Sequence, residues 1–251
     1  MTLEGTNTWL LAESPDARYV VLDPGPDDAR HLAAVRAAVA GAGGRIALVL
    51  LTHGHPDHSA GARRLAEDTG APVRALDPAH RLGDEGLTDG DVIELDGLEL
   101  RALATPGHSA DHVCVVLPAD GAVLTGDHVL GRGTTVVSHP DGRLRDYLDS
   151  LERLRDVGAR LLLPGHGPVV DDPATVIAYY LAHRHERVAQ VAAALAELGL
   201  ATPRELVERI YDDVDPVLWD AAELSLRAAL ELLGDEGRVA VDADGRHELV
   251  R

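Results

Sequence analysis

The segment Thr52-His53-Gly54-His55-Pro56-Asp57-His58 carries four side chains that commonly bind metal ions. It follows directly on the apolar run Ile46-Ala47-Leu48-Val49-Leu50-Leu51, which predicts a buried strand. Imidazole and carboxylate groups are the ligands of zinc, iron and manganese sites. Because Gly54 and Pro56 favour a turn, side chains one and two positions apart can converge, which a regular helix does not allow. The segment therefore predicts a metal-binding turn at the end of a strand.

Three later segments show the same order, in which an apolar run is followed by Gly or Pro and then by a side chain that can bind a metal ion. His108 follows Pro106-Gly107, Asp127 follows Gly126, and His166 follows Pro164-Gly165. The same order at every position indicates that these groups gather at one edge of a pair of sheets. The predicted metal ligands are therefore His53, His55, Asp57, His58, His108, Asp127 and His166.

Strands and helices are predicted to interleave up to about residue 165. Asp96-Gly97 and Asp120-Gly121 are signals for tight turns between strands. Hairpins mixed with helices favour an α/β or α+β sandwich of mixed sheets. The predicted strands are Trp9 to Leu11, Tyr19 to Leu22, Ile46 to Leu51, Val92 to Leu95, Leu98 to Leu103, Val113 to Leu117, Ala122 to Leu124 and Leu161 to Leu163; the predicted helices are Ala29 to Ala40, Ala60 to Glu67 and Leu144 to Val157.

The chain becomes mostly helical after this point. A helix is predicted from Pro173, with Asp172 as its N-cap, to Leu198, and Thr202-Pro203-Arg204-Glu205 has the form of a capping box. Asp215-Pro216 starts another helix that Gly234 is placed to end, and Arg238 to Val241 with His247 to Val250 predicts a hairpin. We expect a catalytic domain over residues 1–171 and a helical linker with a small winged-helix-like domain over residues 172–251.

The charge of the chain bears on its partners. A formal net charge of -19 disfavours long polyanions, whose binding rests on Lys and Arg, and in the C-terminal segment acidic residues outnumber arginines roughly two to one. We therefore expect no DNA binding. With one cysteine, Cys114, no internal disulfide can form, and the sequence shows neither a membrane-length apolar run nor a secretory signal, so we expect a cytoplasmic protein without a membrane partner. Lysine and phenylalanine are absent and Arg, Ala, Gly and Asp are abundant, a bias that is typical of GC-rich bacterial genomes.

The motifs resemble those of the metallo-β-lactamase superfamily, which are matched by Asp23, the His53 to His58 segment, His108, Asp127 and His166. The resemblance implies an αββα sandwich with a two-metal site. One metal would be held by His53, His55 and His108, the other by Asp57, His58 and His166, and Asp127 would bridge them. An acidic bridge is the pattern of the glyoxalase II and ribonuclease branches rather than of zinc β-lactamases, which disfavours antibiotic hydrolysis.

Further motifs are similar to those of the β-lactamase-like protein 2 group. They are Gly5-Thr6-Asn7-Thr8-Trp9, the segment from Thr105 to His112, Gly131-Arg132-Gly133-Thr134-Thr135 and His183-Arg184. The group has a winged-helix-like C-terminal domain, and it includes a mitochondrial single-strand endoribonuclease and fungal thioesterases that act on carrier-bound polyketides.

Other side chains are expected to support the metals or the substrate. We expect Asp23 to be a carboxylate that orients a ligand histidine or a turn residue, and His112 and His128 to be supporting donors, proton carriers or structural side chains. Arg132 and Arg184 are candidates for binding a phosphate or carboxylate, since arginine offers a planar pair of donors; a solvated helix face is the alternative for Arg184.

The sequence thus predicts a binuclear hydrolase with two divalent cations, zinc first and iron or manganese as alternatives. A metal-bridging hydroxide would attack the substrate, with Asp57 or Asp127 accepting its proton. The first hypothesis for the substrate is a thioester or related small acyl compound. The alternatives are a single-strand endoribonuclease, which would make RNA a partner, and a mononuclear-iron enzyme similar to persulfide dioxygenases. A homodimer is compatible with the sequence.

Overall fold

The computed structural model describes residues 5–250, and these residues form two compact units. The first unit contains the described residues up to Thr105 together with Asp111–Thr134 and Val157–Pro173. The second contains Pro106–Ala110, Thr135–Asp156 and the described residues from Ala174 onward. Each unit therefore draws on separate stretches of the chain, whereas the sequence led us to expect one boundary near residue 171.

The first unit contains a four-stranded and a five-stranded sheet. In the first sheet β1 pairs antiparallel with β2, whereas β2, β3 and β4 are parallel. In the second sheet β5 to β8 pair antiparallel in sequence order, and β9 pairs parallel with β8. The strands are β1 (Trp9–Leu11), β2 (Arg18–Leu22), β3 (Arg45–Leu50), β4 (Val73–Arg74), β5 (Val92–Leu95), β6 (Leu98–Ala104), β7 (Val113–Leu117), β8 (Ala122–Gly126) and β9 (Leu161–Pro164).

Strand β3 shows how the first unit is layered. Its side chains alternate between two cores, as the two-residue period of a strand requires. Leu48 and Leu50 lie in a core cluster with Leu100 and Leu124 of the second sheet, whereas Val49 lies in a cluster with residues of the flanking helices. Both faces of β3 are therefore buried, which accounts for its continuous apolar sequence. The helices of this unit are α1 (Ala29–Gly41), α2 (Pro56–Ser59) and α3 (Ala62–Thr69), with a 3-10 turn at Pro78–His80.

The second unit is built mainly from helices. The capping box that the sequence predicts is present, because the Thr202 side chain accepts a hydrogen bond from the Glu205 amide and the Glu205 carboxylate accepts one from the Thr202 amide. The elements are α4 (Leu144–Val157), α5 (Pro173–Leu198), α6 (Pro203–Ile210), a 3-10 turn at Pro216–Leu218, α7 (Trp219–Asp235), β10 (Val239–Val241) and β11 (His247–Leu249).

Several boundaries differ from the prediction. The expected helix from Ala60 to Glu67 is wrong at its start, since α2 ends at Ser59 and α3 begins at Ala62. The helix expected at Asp215-Pro216 starts as a 3-10 turn, and α7 ends at Asp235, just beyond the Gly234 stop. The short strand β4 was not predicted, because two residues carry no measurable periodicity. Among the described residues, no helix combines the length and apolar character needed to cross a membrane.

Candidate metal centre

The polar side chains of the first unit follow the carboxyl ends of strands. Asp23 follows β2 and the histidine-rich segment follows β3, and these two strands are parallel neighbours. Asp127 follows β8 and His166 follows β9, which are also parallel neighbours. Parallel neighbours end at the same edge of a sheet, so each pair of strands brings its polar side chains to one place.

Four side chains meet tightly at this edge. The Nε2 atom of His58 lies 3.2 Å from Nε2 of His166 and 3.3 Å from Oδ1 of Asp127. His166 Nε2 lies 3.3 Å from Oδ1 of Asp127 and 3.3 Å from Oδ2 of Asp57. The distance from His58 Nε2 to Asp57 Oδ2 is 3.6 Å. Nitrogen and oxygen donors that come from three distant parts of the sequence therefore point at a common position.

These separations fit a bound cation. Four donors placed tetrahedrally about 2.0–2.1 Å from a zinc ion are separated from one another by about 3.3–3.4 Å. The five separations given above lie between 3.2 and 3.6 Å, which is close to this value. Of the three donor sets in the described part of the first unit that have the spacing for a metal ion, two share His58. One is Asp57, His58 and His166, and the other is His53, His58 and Asp127.

His53 and His55 extend the group of donors. The ring nitrogens His53 Nε2 and His55 Nδ1 lie 2.9 Å apart, and His53 Nδ1 lies 3.0 Å from the hydroxyl of Thr52. His53 is buried, whereas His55 is partly exposed. The first unit thus brings together every predicted ligand except His108, which belongs to the second unit and is described with it below.

The Asp23 carboxylate contacts the Nδ1 atom of His58. This carboxylate is 1% exposed and accepts hydrogen bonds from the Thr52 amide at 2.8 Å and the Thr52 hydroxyl at 2.7 Å. It also lies 2.8 Å from Nδ1 of His58, so this nitrogen carries a proton and Nε2 is the atom that would bind a cation once it has lost its own proton. Of the two alternatives expected for Asp23, these contacts favour the carboxylate that orients a histidine.

Several neighbours of the predicted metal ligands were not singled out from the sequence. The amide group of Asn7 donates to the carbonyls of Pro164 and Gly167 at 3.0 and 2.9 Å, on either side of His166. The His166 Nδ1 atom lies 2.9 Å from the Gly5 carbonyl. The motif Gly5 to Trp9 was noted as a family resemblance, but nothing in its composition predicts contact with a segment about 160 positions away.

His112 is held at both ring nitrogens. Its Nε2 accepts a hydrogen bond from the Asp127 amide at 3.1 Å, so Nδ1 carries the proton, which points to the Thr105 hydroxyl at 2.9 Å. His112 therefore positions Asp127 and is not placed as a proton donor to a substrate. His128 is fully buried, which also separates it from solvent. Arg132 is exposed in the first unit, and Arg184 is buried in the second.

The carboxylates change the proton affinity of the two buried histidines. Burial lowers the pKa of His58, but the charge of Asp23 and the hydrogen bond to Asp127 raise it by more than burial lowers it. The resulting pKa is about 10. Burial likewise lowers the pKa of His166, and hydrogen bonds to Asp127 and Asp57 raise it to about 9. The hydrogen bond from His166 lowers the pKa of Asp57 to about 2. A cation must therefore compete with protons for these side chains.

Metal binding to chelator-treated protein at pH 7 is expected to release about two protons, because His58 and His166 must each lose one to offer a lone pair. The apparent metal affinity should therefore rise as the pH is raised from 6 to about 9. Calorimetric titration in buffers of different ionisation enthalpy measures the protons released. A binding heat that does not change with the buffer would contradict this assignment.

Replacing Asp23 with asparagine is expected to weaken metal binding by about 10–100-fold. An amide group presents its own N–H toward a hydroxyl and an imidazole N–H, so at least one of the contacts to Thr52 or His58 is lost. The φ angle of Asp23 is +50°, a region that asparagine tolerates, so the backbone is not disturbed. Asp27→Asn, at an exposed carboxylate paired with Arg64, is the matched control and should bind metal normally.

Comparison with known proteins agrees with this arrangement. The sequence model of the metallo-beta-lactamase superfamily matches residues 1–166, and that of the beta-lactamase associated winged helix domain matches residues 202–246. The chain is 31% identical to a beta-lactamase-like protein 2 homolog of Caenorhabditis elegans, over 95% of this chain and 81% of that protein. It is 33% identical to an atrochrysone carboxyl ACP thioesterase of Aspergillus fumigatus, over 84% of this chain and 70% of that protein.

Solved structures show the same fold. A metallo-beta-lactamase family protein from Thermus thermophilus superposes with a TM-score of 0.82 at 25% identity, covering 98% of this chain and 94% of that one. A beta-lactamase domain protein from Burkholderia ambifaria gives a TM-score of 0.83 at 25% identity, covering 98% and 87%. The fold is accordingly an α/β sandwich of mixed sheets followed by a winged helix domain. By the extent of the family match and the identity to these relatives, the chain belongs to the metallo-β-lactamase superfamily.

Proposed function

We propose that this protein is a binuclear metal-dependent hydrolase of thioesters or related small acyl substrates. The observation that carries the proposal is the convergence of His58, His166, Asp57 and Asp127, in a chain 33% identical to an acyl carrier protein thioesterase. One cation would be held by His53, His55 and His108 and the other by Asp57, His58 and His166, with Asp127 between them. Zinc fits these nitrogen and oxygen donors, and iron and manganese are the alternatives.

The protein's side chains divide the work of hydrolysis. Divalent cations held by these residues would supply Lewis acidity, which lowers the pKa of water and polarises an acyl carbonyl. Asp57 is ionised at neutral pH and about one third exposed, so it can receive a proton from an attacking water. Asp127 is more deeply placed, where its amide is fixed by His112. The residues around the donors would thus hold a water and a substrate carbonyl in one orientation.

The leaving group distinguishes a thioester from RNA. A thiol has a pKa of about 8.5, so a thiolate can leave without being protonated, whereas a ribose or alkoxide oxygen needs a proton donor. The predicted proton carriers are poorly placed for that task, because both nitrogens of His112 are engaged and His128 is fully buried. This arrangement favours a substrate that needs no acid.

Electrostatics favour the same conclusion. The chain has a net charge of -19, and its positive charges are all arginines that are outnumbered by 42 aspartates and glutamates. A single-strand ribonuclease gains affinity by displacing counterions from phosphates with basic side chains. An acidic protein lacks this general attraction, whereas a small acyl thioester does not require it.

Parallel assays test the proposal. Metal-reconstituted protein is expected to release thiol from an acyl-pantetheine thioester, and to cleave the matching oxygen ester at least about tenfold more slowly. A fluorescent single-stranded RNA oligonucleotide serves as the competing substrate. Chelation should abolish thiol release and re-addition of metal should restore it.

The controls separate the outcomes. Asp57→Asn should lose thiol release, whereas Asp27→Asn, an exposed carboxylate of the same unit, should retain it. Cleavage of RNA without any thioester turnover would overturn the proposal in favour of the ribonuclease. Thiol release that persists after complete removal of metal would overturn the metal-dependent mechanism itself.

A further inference from the structure

His108 lies in a loop that is built into the second unit. Its backbone carbonyl accepts a hydrogen bond from the Ser138 amide at 3.1 Å, and the Ser150 hydroxyl donates to the Pro106 carbonyl at 2.8 Å. A side chain at Gly107 would lie 2.3 Å from the Cα atom of Tyr147, so the loop runs directly against α4. The position of His108 therefore depends on the segment 135–150.

The imidazole of His108 is held in one orientation by the segment that follows residue 134. Its Nδ1 atom lies 2.6 Å from the Val136 carbonyl and 3.2 Å from the Thr135 hydroxyl, and the side chain is 4% exposed. A carbonyl only accepts, so Nδ1 carries the proton. The lone pair is then on Nε2, the nitrogen left to bind a cation.

Arg184 of α5 holds the same segment. Its guanidinium group donates to the Thr135 carbonyl and lies over the ring of Tyr147, with 5.2 Å from Cζ to the ring centroid. Only 5% of Arg184 is exposed. The side chain is therefore directed at the backbone next to Val136. Because it is buried, it does not lie on a solvated helix face, which was the alternative expected from the sequence.

We infer that Arg184 is a positioning residue for the metal ligand His108. By fixing the Thr135 carbonyl and stacking on Tyr147, it holds the Val136 carbonyl where it accepts a hydrogen bond from the Nδ1–H group of His108. This inference rests on the proposed function, in which His108 binds a cation. It gives Arg184 a role in place of the substrate contact expected from sequence, and it makes the long helix of the second unit a support for one metal ligand.

The next arginine on α5 provides a matched control. Arg187 lies over the ring of Tyr211 at 4.7 Å and donates to the side chain of Gln190 at 2.8 Å. Arg184 and Arg187 thus have the same charge, the same helix and the same kind of stacking contact. They differ in that Arg184 contacts the segment that holds His108.

The test is a metal titration of full-length protein against a chromophoric chelator. Arg184→Met is expected to weaken one of the two metal equivalents by about 10–100-fold and leave the other unchanged. Arg184→Lys keeps a charged donor and should restore part of the affinity, whereas Arg187→Met should bind both equivalents normally. A ¹⁵N spectrum of the histidine rings should show loss of the fixed Nδ1–H state of His108 in Arg184→Met alone.

His108→Ala separates the test of His108 as a metal ligand from the test of Arg184 as a positioning residue. If this variant binds both metals normally, His108 is not a ligand and the ligand set of the proposed function fails. If His108→Ala loses one equivalent but Arg184→Met keeps both and raises only KM, Arg184 contacts the substrate and the positioning role is overturned. Equal losses in Arg184→Met and Arg187→Met would also overturn it, because the effect would then be general destabilisation. Should Arg184→Met not fold by circular dichroism, Arg184→Lys against Arg187→Lys carries the same comparison.

Discussion

Asp127→Ala is expected to lose bound metal and to lower kcat/KM by about 10³-fold or more, because metal-activated water and Lewis acidity are lost together. The Oδ1 atom of Asp127 lies 3.3 Å from the Nε2 atoms of both His58 and His166. Alanine leaves these two histidines without the carboxylate that sets their spacing. Metal content by mass spectrometry and kcat/KM for the thioester, measured on the same preparation, check the prediction.

Two further variants show whether the loss is specific. Asp127→Asn retains the size of the side chain and its backbone hydrogen bond to His112 but removes the negative charge, so it should also bind metal weakly. Asp120→Ala removes an exposed carboxylate from the turn before β8 and should behave as the natural protein. Full metal content with full activity in Asp127→Ala would refute the role of this residue in binding the cations.

The local part of this centre could be predicted from the sequence. At each position an apolar run, a Gly or Pro and a polar side chain follow one another in the sequence. Hydrophobic periodicity therefore predicts where the strand ends, and the residue type predicts the ligand. This was sufficient for the donors after β3, β8 and β9, and for the capping box at Thr202. The family resemblance was confirmed by the match over residues 1–166.

The long-range contacts could not be predicted. Asn7 binds the backbone on either side of His166, and His108 belongs to the same compact unit as α5, although it is far from α5 in sequence. Such contacts depend on how distant segments pack, which no local pattern contains. For the same reason the burial of Arg184 could not be predicted. Its place in the sequence is compatible with an exposed helix face, but its guanidinium group is buried against the Thr135 carbonyl.

Gly126→Ala is the second change expected to have a large effect, because a single methyl group would disturb two side chains that contact the proposed metal ligands or the residues next to them. Gly126 has a φ of +46°, which costs an alanine about 1–2 kcal/mol. The added Cβ would lie 2.7 Å from the Thr52 hydroxyl and 2.8 Å from Nε2 of His112. Overpacking of this kind costs about 1–3 kcal/mol more. We expect the free energy of unfolding to fall by about 2–5 kcal/mol, as measured by urea denaturation.

Metal binding should weaken in the same variant. The Thr52 hydroxyl donates to Asp23, which orients His58, and His112 accepts from the amide of Asp127. Gly70→Ala is the matched control, since Gly70 also has a positive φ, of +72°, but its Cβ would meet no atom within 4 Å. That variant should lose only about 1–2 kcal/mol and keep its metal. If both glycine variants lose the same stability and both retain metal, Thr52 and His112 do not hold the ligands through close packing at Gly126.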